Sequence, residues 1–312
     1  MRATALLLLL PLIGACSAVV APRLPAPAPT ACRIGPEGGP PLLASDDRGI
    51  GGTGMLAENV ADDDRGIGGT GIVGVVTGFA SICVNGLHVG YEPGMPVAFD
   101  GLVARPDALR AGQVVVISAT DRGGVLRARS VAVRYEVSGP VEAVEEGALR
   151  VAGQRITWVG NTAWRVGDAV LVSGLRAPDG SIAATRIDRR PEGMAPRSVT
   201  VHGVLSRASG VARIGNLPLR AGPGVILPEA GPAIASGQIV DGVLIATSVT
   251  PDLLMRDPQL WFGAGYERFV YEGYVSVGLG RVSLSHGLSA AAPAGAGAFA
   301  ARRGVVDLRR GG

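Results

Sequence analysis

Two glycine-rich segments carry the spacing of a phosphate-binding turn. Residues 46–54 read DDRGIGGTG and recur at 63–71, so each copy contains GxGxxG. A dinucleotide site places this turn between a strand and a helix, whose N-terminus faces the pyrophosphate. Here charged residues precede each copy, residues 55–61 are too few for the helix, and a β-like segment follows the second copy. We interpret both copies as a glycine-rich lead-in and predict no nucleotide or other cofactor.

Carboxylates and imidazoles are too scattered to predict a metal or catalytic site. The consecutive aspartates 62–64 lack the alternating ligands of a calcium loop, and no Cys or His cluster has metal-ligand spacing. The three histidines fall in different units of the chain: His88, His202 and His286. Three glutamates share a strand end and turn, where solvated carboxylates are expected: Glu142, Glu145 and Glu146. Without GxSxG, HExxH or SxxK, the sequence predicts no enzyme, and an envelope hydrolase remains the weaker alternative.

The N-terminus predicts export and lipidation. Arg2 precedes an apolar run, residues 6–13, that is too short to span a membrane as a mature helix. Residues 13–16, Ile-Gly-Ala-Cys, resemble the lipobox of bacterial lipoproteins. That resemblance implies that residues 1–15 are a signal peptide and that Cys16 is acylated, so the partner would be a membrane. Ser17, rather than Asp, favours the outer membrane facing the periplasm, with the cell surface left open. The alternative is an ordinary signal peptide with an incidental cysteine.

The other two cysteines admit two interpretations. Export would place Cys32 and Cys83 in an oxidising compartment, where one disulfide would tie the linker to the first folded unit. Two unpaired thiols are the equal alternative.

Charge and aromatic content argue against nucleic acid as the partner. The net charge is only +3, the basic residues are scattered, and aromatics make up 4% of the chain. Single-stranded nucleic acid sites interleave basic residues with stacking aromatics. Three arginines lie close together in the sequence, at Arg127, Arg129 and Arg134, but Tyr135 is the one aromatic residue near them. An oligonucleotide- or polysaccharide-binding barrel therefore stays an alternative.

The segment 137–189 predicts the architecture. Apolar runs at 169–175 and 181–187 flank Pro178-Asp179-Gly180, a sequence typical of a tight antiparallel connection. Upstream runs bring the total to about five short strands in fewer than sixty residues. So small a sheet removes its exposed edges by closing into a barrel. The fold class predicted is all-β.

Several motifs resemble a bacterial exported family catalogued as domain of unknown function 5666. They include the GIGGTG lead-in at 66–71, Gly-Phe-Ala-Ser-Ile at 78–82, Val-Asn-Gly at 84–86 and Val-Ser-Gly-Leu-Arg at 172–176. The resemblance covers roughly 46–190. It implies tandem OB-like barrels and brings no catalytic residues.

Internal repetition predicts about three barrels and a partial fourth. Ser236-Gly237, Asp241-Gly242 and Ala246-Thr247 follow Ser173-Gly174, Asp179-Gly180 and Ala184-Thr185 at nearly one offset. We expect a flexible Pro/Gly-rich linker at 16–71. Barrels follow at 72–136, 137–193 and, diverged, 194–252. An aromatic partial β-unit with an Ala/Gly-rich tail occupies 253–312.

Aromatic residues crowd into the last unit of an aromatic-poor chain. Core packing explains such a cluster most simply, and an exposed stacking surface for a glycan or protein partner is the functional alternative. The candidate partner-binding aromatics are Trp261, Phe262, Tyr266, Tyr271 and Tyr274. Together these features predict a non-catalytic, lipid-anchored envelope protein that acts as a binding or scaffold module.

Overall fold

The computed structural model describes residues 68–79, 81–99, 102–160, 162–191, 198–284, 287–292 and 295–309. Within these ranges the protein contains 21 strands and two short α-helices. Neither of these helices could span a membrane.

The first barrel is a closed sheet of five strands with an inserted hairpin. Its seven strands are β1 (Gly69–Phe79), β2 (Ile82–Val84), β3 (Leu87–Gly90), β4 (Val97–Phe99), β5 (Leu102–Ala104), β6 (Val114–Arg122) and β7 (Val125–Arg134). Strand β1 pairs with β2 and β6, β2 pairs with β3, and β7 pairs with β6. A parallel pairing of β3 with β7 closes the ring. The β4–β5 hairpin adds to β7 outside the ring.

The second and third barrels repeat the same five-strand order. Barrel two consists of β8 (Val137–Glu145), β9 (Ala148–Val151), β10 (Gln154–Thr157), β11 (Ala169–Arg176) and β12 (Ile182–Arg189). Barrel three consists of β13 (Ser198–Ala208), β14 (Val211–Ile214), β15 (Leu217–Ala221), β16 (Gly231–Val240) and β17 (Val243–Pro251). In each, the third and fifth strands pair in parallel and the first and fourth strands pair antiparallel. The all-β, five-stranded barrel prediction is confirmed.

Local sequence explains the turns and kinks of these barrels. Asn85 and Gly86 join β2 to β3 with φ of 55° and 74°, as a type I′ turn requires. Ser173-Gly174 and Ser236-Gly237, which the repeat offset paired, both lie at a register shift in the fourth strand. A Cβ on Gly237 would lie 2.1 Å from the Ile245 carbonyl oxygen, so this bulge requires glycine.

Barrels two and three are joined through their first strands. Val137 and Ser138 of β8 pair antiparallel with Val201 and Thr200 of β13. Their interiors form one continuous apolar cluster built mainly from Val, Ile and Leu. Barrel one has its own core, centred on Ile72, Ile82 and Ile117.

The C-terminal unit packs on the outside of barrel one. It comprises α1 (Leu253–Arg256), α2 (Pro258–Phe262), β18 (Tyr266–Gly278), β19 (Arg281–Leu284), β20 (Ser289–Ala291) and β21 (Phe299–Arg309). Strand β18 runs parallel to the first half of β1. Aromatic rings of α2 and β18 lie against the backbone of β1, where Gly69 and Gly71 leave room: a Cβ at either glycine would approach a ring atom to 2.6 Å. This contact explains why β1 is buried on both faces.

Candidate functional site

A cleft of about 500 Å³ lies between barrel one and barrel two. Strand β4 extends barrel one by pairing in parallel with β7, and β5 forms the outer wall. The lining is predominantly apolar and comprises Phe99, Leu102, Val103, Ala104, Ala108, Tyr135, Leu171 and Pro191, with Arg110, Gln113, Arg186, Asp188 and Arg189 as its polar members. Leu102 is 48% exposed and Val103 is 72% exposed, so the wall presents two large apolar side chains to solvent. Exposed apolar side chains beside a cavity are typical of a binding groove.

Contacts between the two barrels fix the floor of this cleft. Thr185 Oγ1 on β12 donates a hydrogen bond to the Gly112 carbonyl oxygen at 2.6 Å, and Arg186 Nη1 donates to the Ala111 carbonyl oxygen at 3.2 Å. Arg186 Nε also donates to both carboxylate oxygens of Asp188, at 2.7 and 2.8 Å. Because one arginine holds both barrels, the floor is preformed.

The arginines at the rim differ in how their charges are used. Arg186 is paired with Asp188, and Arg189 Nη1 lies 3.2 Å from Asp168 Oδ1 while its guanidinium stacks 5.2 Å from the Trp164 ring. Arg110 Nη1 instead donates to the carbonyl oxygens of Asp107 and Leu109, at 2.6 and 2.9 Å. Among the described residues, no carboxylate pairs with Arg110. The rim therefore presents one guanidinium whose charge is not balanced by a neighbouring side chain.

A buried charge cluster occupies the junction of the three barrels. Arg134 Nε donates to Glu136 Oε1 at 2.8 Å, and Arg134 Nη2 donates to Asp252 Oδ2 at 2.7 Å. Arg176 Nε lies 3.6 Å from Glu136 Oε2, and its Nη2 donates to the His202 carbonyl oxygen. All four charged side chains are less than 10% exposed. Two arginines and two carboxylates balance in charge, which reduces the cost of burying them.

The electrostatics of this cluster follow from burial and from the paired charges. Burial alone would raise the pKa of Asp252, but the Arg134 charge, hydrogen bonding to Arg134 and the neighbouring His202 hold this pKa well below its usual range. For Arg134, burial opposes the charged form, and the two carboxylates outweigh that and raise its pKa. Burial lowers the pKa of Arg176, with Glu136 acting in the opposite direction. Asp252 therefore stays ionised at neutral pH.

A cavity of about 150 Å³ lies beside the cluster, and its lining side chains are not arranged for catalysis. It is lined by His202, Asp252, Ser138, Thr200 and Trp261, among others. His202 Nδ1 lies 3.6 Å from Asp252 Oδ2, beyond hydrogen-bond distance. The lining hydroxyls are engaged elsewhere: Ser138 Oγ accepts from Arg190 at 3.0 Å, and Thr200 Oγ1 lies 3.0 Å from Ser236 Oγ. The described residues at this cavity thus form a structural joint rather than a nucleophile–base pair.

The predicted aromatics divide between interior and surface. Tyr271 is fully buried, and its hydroxyl donates to the Leu254 carbonyl oxygen at 2.9 Å. Burial raises the pKa of Tyr271, and the Asp252 charge acts in the same direction. Phe262 is buried, with its ring centroid 5.3 Å from that of Tyr266, and Tyr266 and Tyr274 are half-buried. Trp261 is 51% exposed at the mouth of the smaller cavity. Of the five aromatics, Trp261 is thus the one that presents most surface to a partner.

The remaining candidate residues lie apart from one another. His88 is exposed on β3, with Nδ1 3.1 Å from Ser81 Oγ. Glu145 pairs with Arg150 and Arg155 at the surface, and Glu142 and Glu146 are also exposed. Within the described ranges, no three His, Cys, Asp or Glu side chains are placed to hold a metal ion.

Several predicted features fall outside the described residues. These are Cys16, Cys32, His286, aspartates 62–64 and the glycine-rich lead-ins up to residue 67. Cys83 is fully buried in β2 and is disulfide-bonded. Its pairing with Cys32 remains a prediction.

Two features of the structure were not predicted from the sequence: the buried charge cluster and the cleft between barrels one and two. Arg134, which the sequence places in a basic group with Arg127 and Arg129, is buried between Glu136, just before β8, and Asp252, just after β17. One available signal was Arg176, a charge that ends the apolar run Val172-Ser173-Gly174-Leu175. For the cleft, the sequence signal is the length of one connection. The segment at 91–113 in barrel one is about twice as long as the corresponding segments in the other barrels, at 158–168 and 222–230.

Comparison with known proteins identifies the central barrel. No curated protein and no solved structure matches the chain. The family model for a domain of unknown function, DUF5666, matches residues 138–188, which is nearly the whole of barrel two. The sequence motifs had suggested a longer resemblance, from about residue 46. The chain therefore carries a DUF5666 domain as the second of its three barrels, in agreement with the family predicted from its motifs.

Proposed function

We propose that this protein is an exported, lipid-anchored, non-catalytic binding protein whose ligand occupies the cleft between barrels one and two. The observation that carries the proposal is the cleft itself, a groove shared between two repeated units. Its volume of about 500 Å³ falls within the roughly 300–1,000 Å³ of small-molecule sites. An array of identical barrels would suggest a scaffold. Barrel one differs because its inserted β4–β5 hairpin supplies a wall that the other two barrels do not have in the described residues.

The chemistry of the lining selects the ligand class. Leu102, Val103 and Leu171 offer apolar surface, which favours a ligand with an aliphatic or aromatic body. Arg110 at the rim favours a carboxylate, phosphate or sulfonate group on that body, because its guanidinium has no carboxylate partner among the described residues. The ligand is therefore an anionic amphiphile.

The anchor completes the proposal. An acylated Cys16 would hold the barrels at a membrane surface, most simply the periplasmic face of the outer membrane. A tethered cleft for amphiphiles would meet its ligand at that surface. Cys16→Ala should move the protein from the membrane fraction to the soluble fraction and abolish labelling by a fatty-acid analogue, and a fully membrane-associated variant would contradict the anchor.

The cleft is tested with a fluorescent amphiphile, 11-(dansylamino)undecanoate, titrated into the purified full chain. Val103→Glu places a like charge on the apolar wall and should weaken binding at least tenfold. Val125→Glu is the matched control, since Val125 is 57% exposed on β7 and does not line the cleft. Equal affinity of wild type and Val103→Glu would refute the site, and equal weakening by both variants would show non-specific adsorption.

A second variant tests the predicted head group. Arg110→Gln removes the charge but keeps hydrogen-bonding capacity. It should weaken binding of the carboxylate probe about fivefold to tenfold and leave binding of its methyl ester unchanged. If both probes lose affinity equally, Arg110 supports the wall rather than the anion.

A further inference from the structure

The C-terminal unit repeats four of the five strand positions of a barrel. Strand β18 pairs antiparallel with β19 at its end and with β21 along its length, and β19 pairs antiparallel with β20. Strands one, two, three and four of barrel three have the same mutual arrangement. Strands β18, β19, β20 and β21 thus occupy positions one, two, three and four.

Position five of this unit holds no strand among the described residues. In each complete barrel, strand five runs antiparallel to strand four and parallel to strand three, and so closes the ring. In the C-terminal unit the outer edge of β21, eleven residues long, pairs with no other described strand. An open edge of this length is a template for pairing with another strand.

We propose that the open edge is closed by β21 of a second copy of this chain. An antiparallel partner strand would run parallel to β20, which is the direction that position five requires. By two-fold symmetry each β21 then remains strand four of its own unit, paired with its own β18, and supplies to the partner's β21 the antiparallel neighbour that strand five supplies to strand four in the complete barrels. Such an isologous contact is closed, and it leaves neither β21 edge exposed.

Charge complementarity selects the register. With Val305 opposite its own symmetry mate, Arg303 faces the partner's Asp307, and the reverse holds on the other side of the axis. Within one chain Arg303 already contacts Glu272 at 2.7 Å, and Asp307 already contacts Arg268 at 2.7 Å. The contact would join these two pairs into one network of alternating charge, since opposite charges directly across a ladder stabilise it.

Disulfide trapping tests both the contact and its register. Directly opposed residues have Cβ atoms about 4.5–5.5 Å apart, so Val305→Cys in the full chain should form a covalent dimer under mild oxidation. Val144→Cys is the matched control, because Val144 on β8 has the same 48% exposure. We expect dimer formation at least ten times faster for Val305→Cys than for Val144→Cys, and equal rates would overturn the proposal.

Sedimentation velocity supplies an independent measurement. The purified full chain should sediment as a dimer, and Val305→Asp, which opposes two like charges at the axis, should be a monomer at the same concentration. Val144→Asp should remain a dimer. A monomeric wild type at 100 µM would mean that this edge is closed in some other way, and would overturn the proposal. Circular dichroism of each variant separates loss of pairing from loss of fold.

Discussion

Asparagine at position 252 tests whether the buried charge cluster holds the barrels together. Asp252→Asn keeps the side chain's shape and one acceptor oxygen but removes the charge. Arg134 then loses the carboxylate that it contacts at 2.7 Å, and the cluster changes from two positive and two negative groups to a net positive charge. Because each of these side chains is less than 10% exposed, hydration compensates only in part for the lost partner.

The expected cost separates a buried pair from a surface pair. Removing one partner of a buried ion pair destabilises a protein by about 3–5 kcal/mol, and the retained amide places Asp252→Asn near the lower value. Arg150→Gln is the control. It removes the charge of one partner in the surface pair with Glu145, whose two side chains are 48% and 38% exposed, and such pairs contribute about 0.2–1 kcal/mol.

Guanidinium unfolding followed by tryptophan fluorescence measures the difference. With an m value of roughly 4 kcal/mol/M, Asp252→Asn should lower the midpoint by roughly 0.5–1 M and Arg150→Gln by less than about 0.25 M. Asp252 follows barrel three and Arg134 ends barrel one, so their ion pair links the two barrels. Loss of this ion pair should therefore also separate the unfolding transition into more than one step. Midpoints of the two variants that agree within 0.1 M would refute the reasoning.

The pH dependence gives an independent check with a defined sign. The pKa of Asp252 in the folded protein lies below its unfolded value of about 3.9. Its stabilising effect is therefore fully present above that unfolded value and is lost as the pH falls towards the folded value. The stability gap between wild type and Asp252→Asn should be constant from pH 7 to pH 5 and should narrow below about pH 4. A gap that is unchanged at pH 3 would contradict the depressed pKa.

Three further predictions concern the bulge, the barrel one junction and the partner class. Gly237→Ala should destabilise barrel three by about 2–4 kcal/mol, because its Cβ would lie 2.1 Å from the Ile245 carbonyl oxygen, whereas Gly94→Ala, with open space around it, should be neutral in the same denaturation assay. Asn85→Gly keeps the turn but removes two side-chain hydrogen bonds, to carbonyls of β1 and β18, and should cost about 1–2 kcal/mol with faster hydrogen exchange in β18. Fluorescence anisotropy should detect no binding of single-stranded DNA at 20 mM salt, and a salt-sensitive Kd below 10 µM would instead support the nucleic-acid alternative.

Barrels could be predicted from the sequence because their determinants are local. Asn85-Gly86 and Asp241-Gly242 both adopt the positive φ angles that a tight hairpin turn needs. The Ser-Gly pairs at 173 and 236 recur because the fourth strand must bulge where the fifth strand's backbone approaches. Each such signal depends on residues close to one another in the chain, so one copy could be recognised from another.

Contacts between units left no such signal. Strand β1 pairs with β18 across nearly two hundred residues, and Arg134 meets Asp252 across 118. Neither contact alters the hydrophobic period of its own strand. A charge count also cannot tell a buried, paired arginine from a solvated one. In the sequence Arg134 counts as a basic residue that could contact nucleic acid, although in the fold its charge is balanced by Glu136 and Asp252.

Differences between copies are what locate function in a repeated fold. The sequence directed attention to the aromatics after barrel three, and the structure places most of them in contacts with barrel one or within the C-terminal core. The larger departure from the repeat is the insertion at 91–113, which adds β4 and β5 to barrel one and raises one wall of the cleft. The closed rings of all three barrels are alike. We therefore expect a specific ligand to contact the added β4–β5 hairpin rather than a ring strand that every barrel shares. The β4–β5 hairpin, with Val103 on it, is therefore the most informative place to mutate.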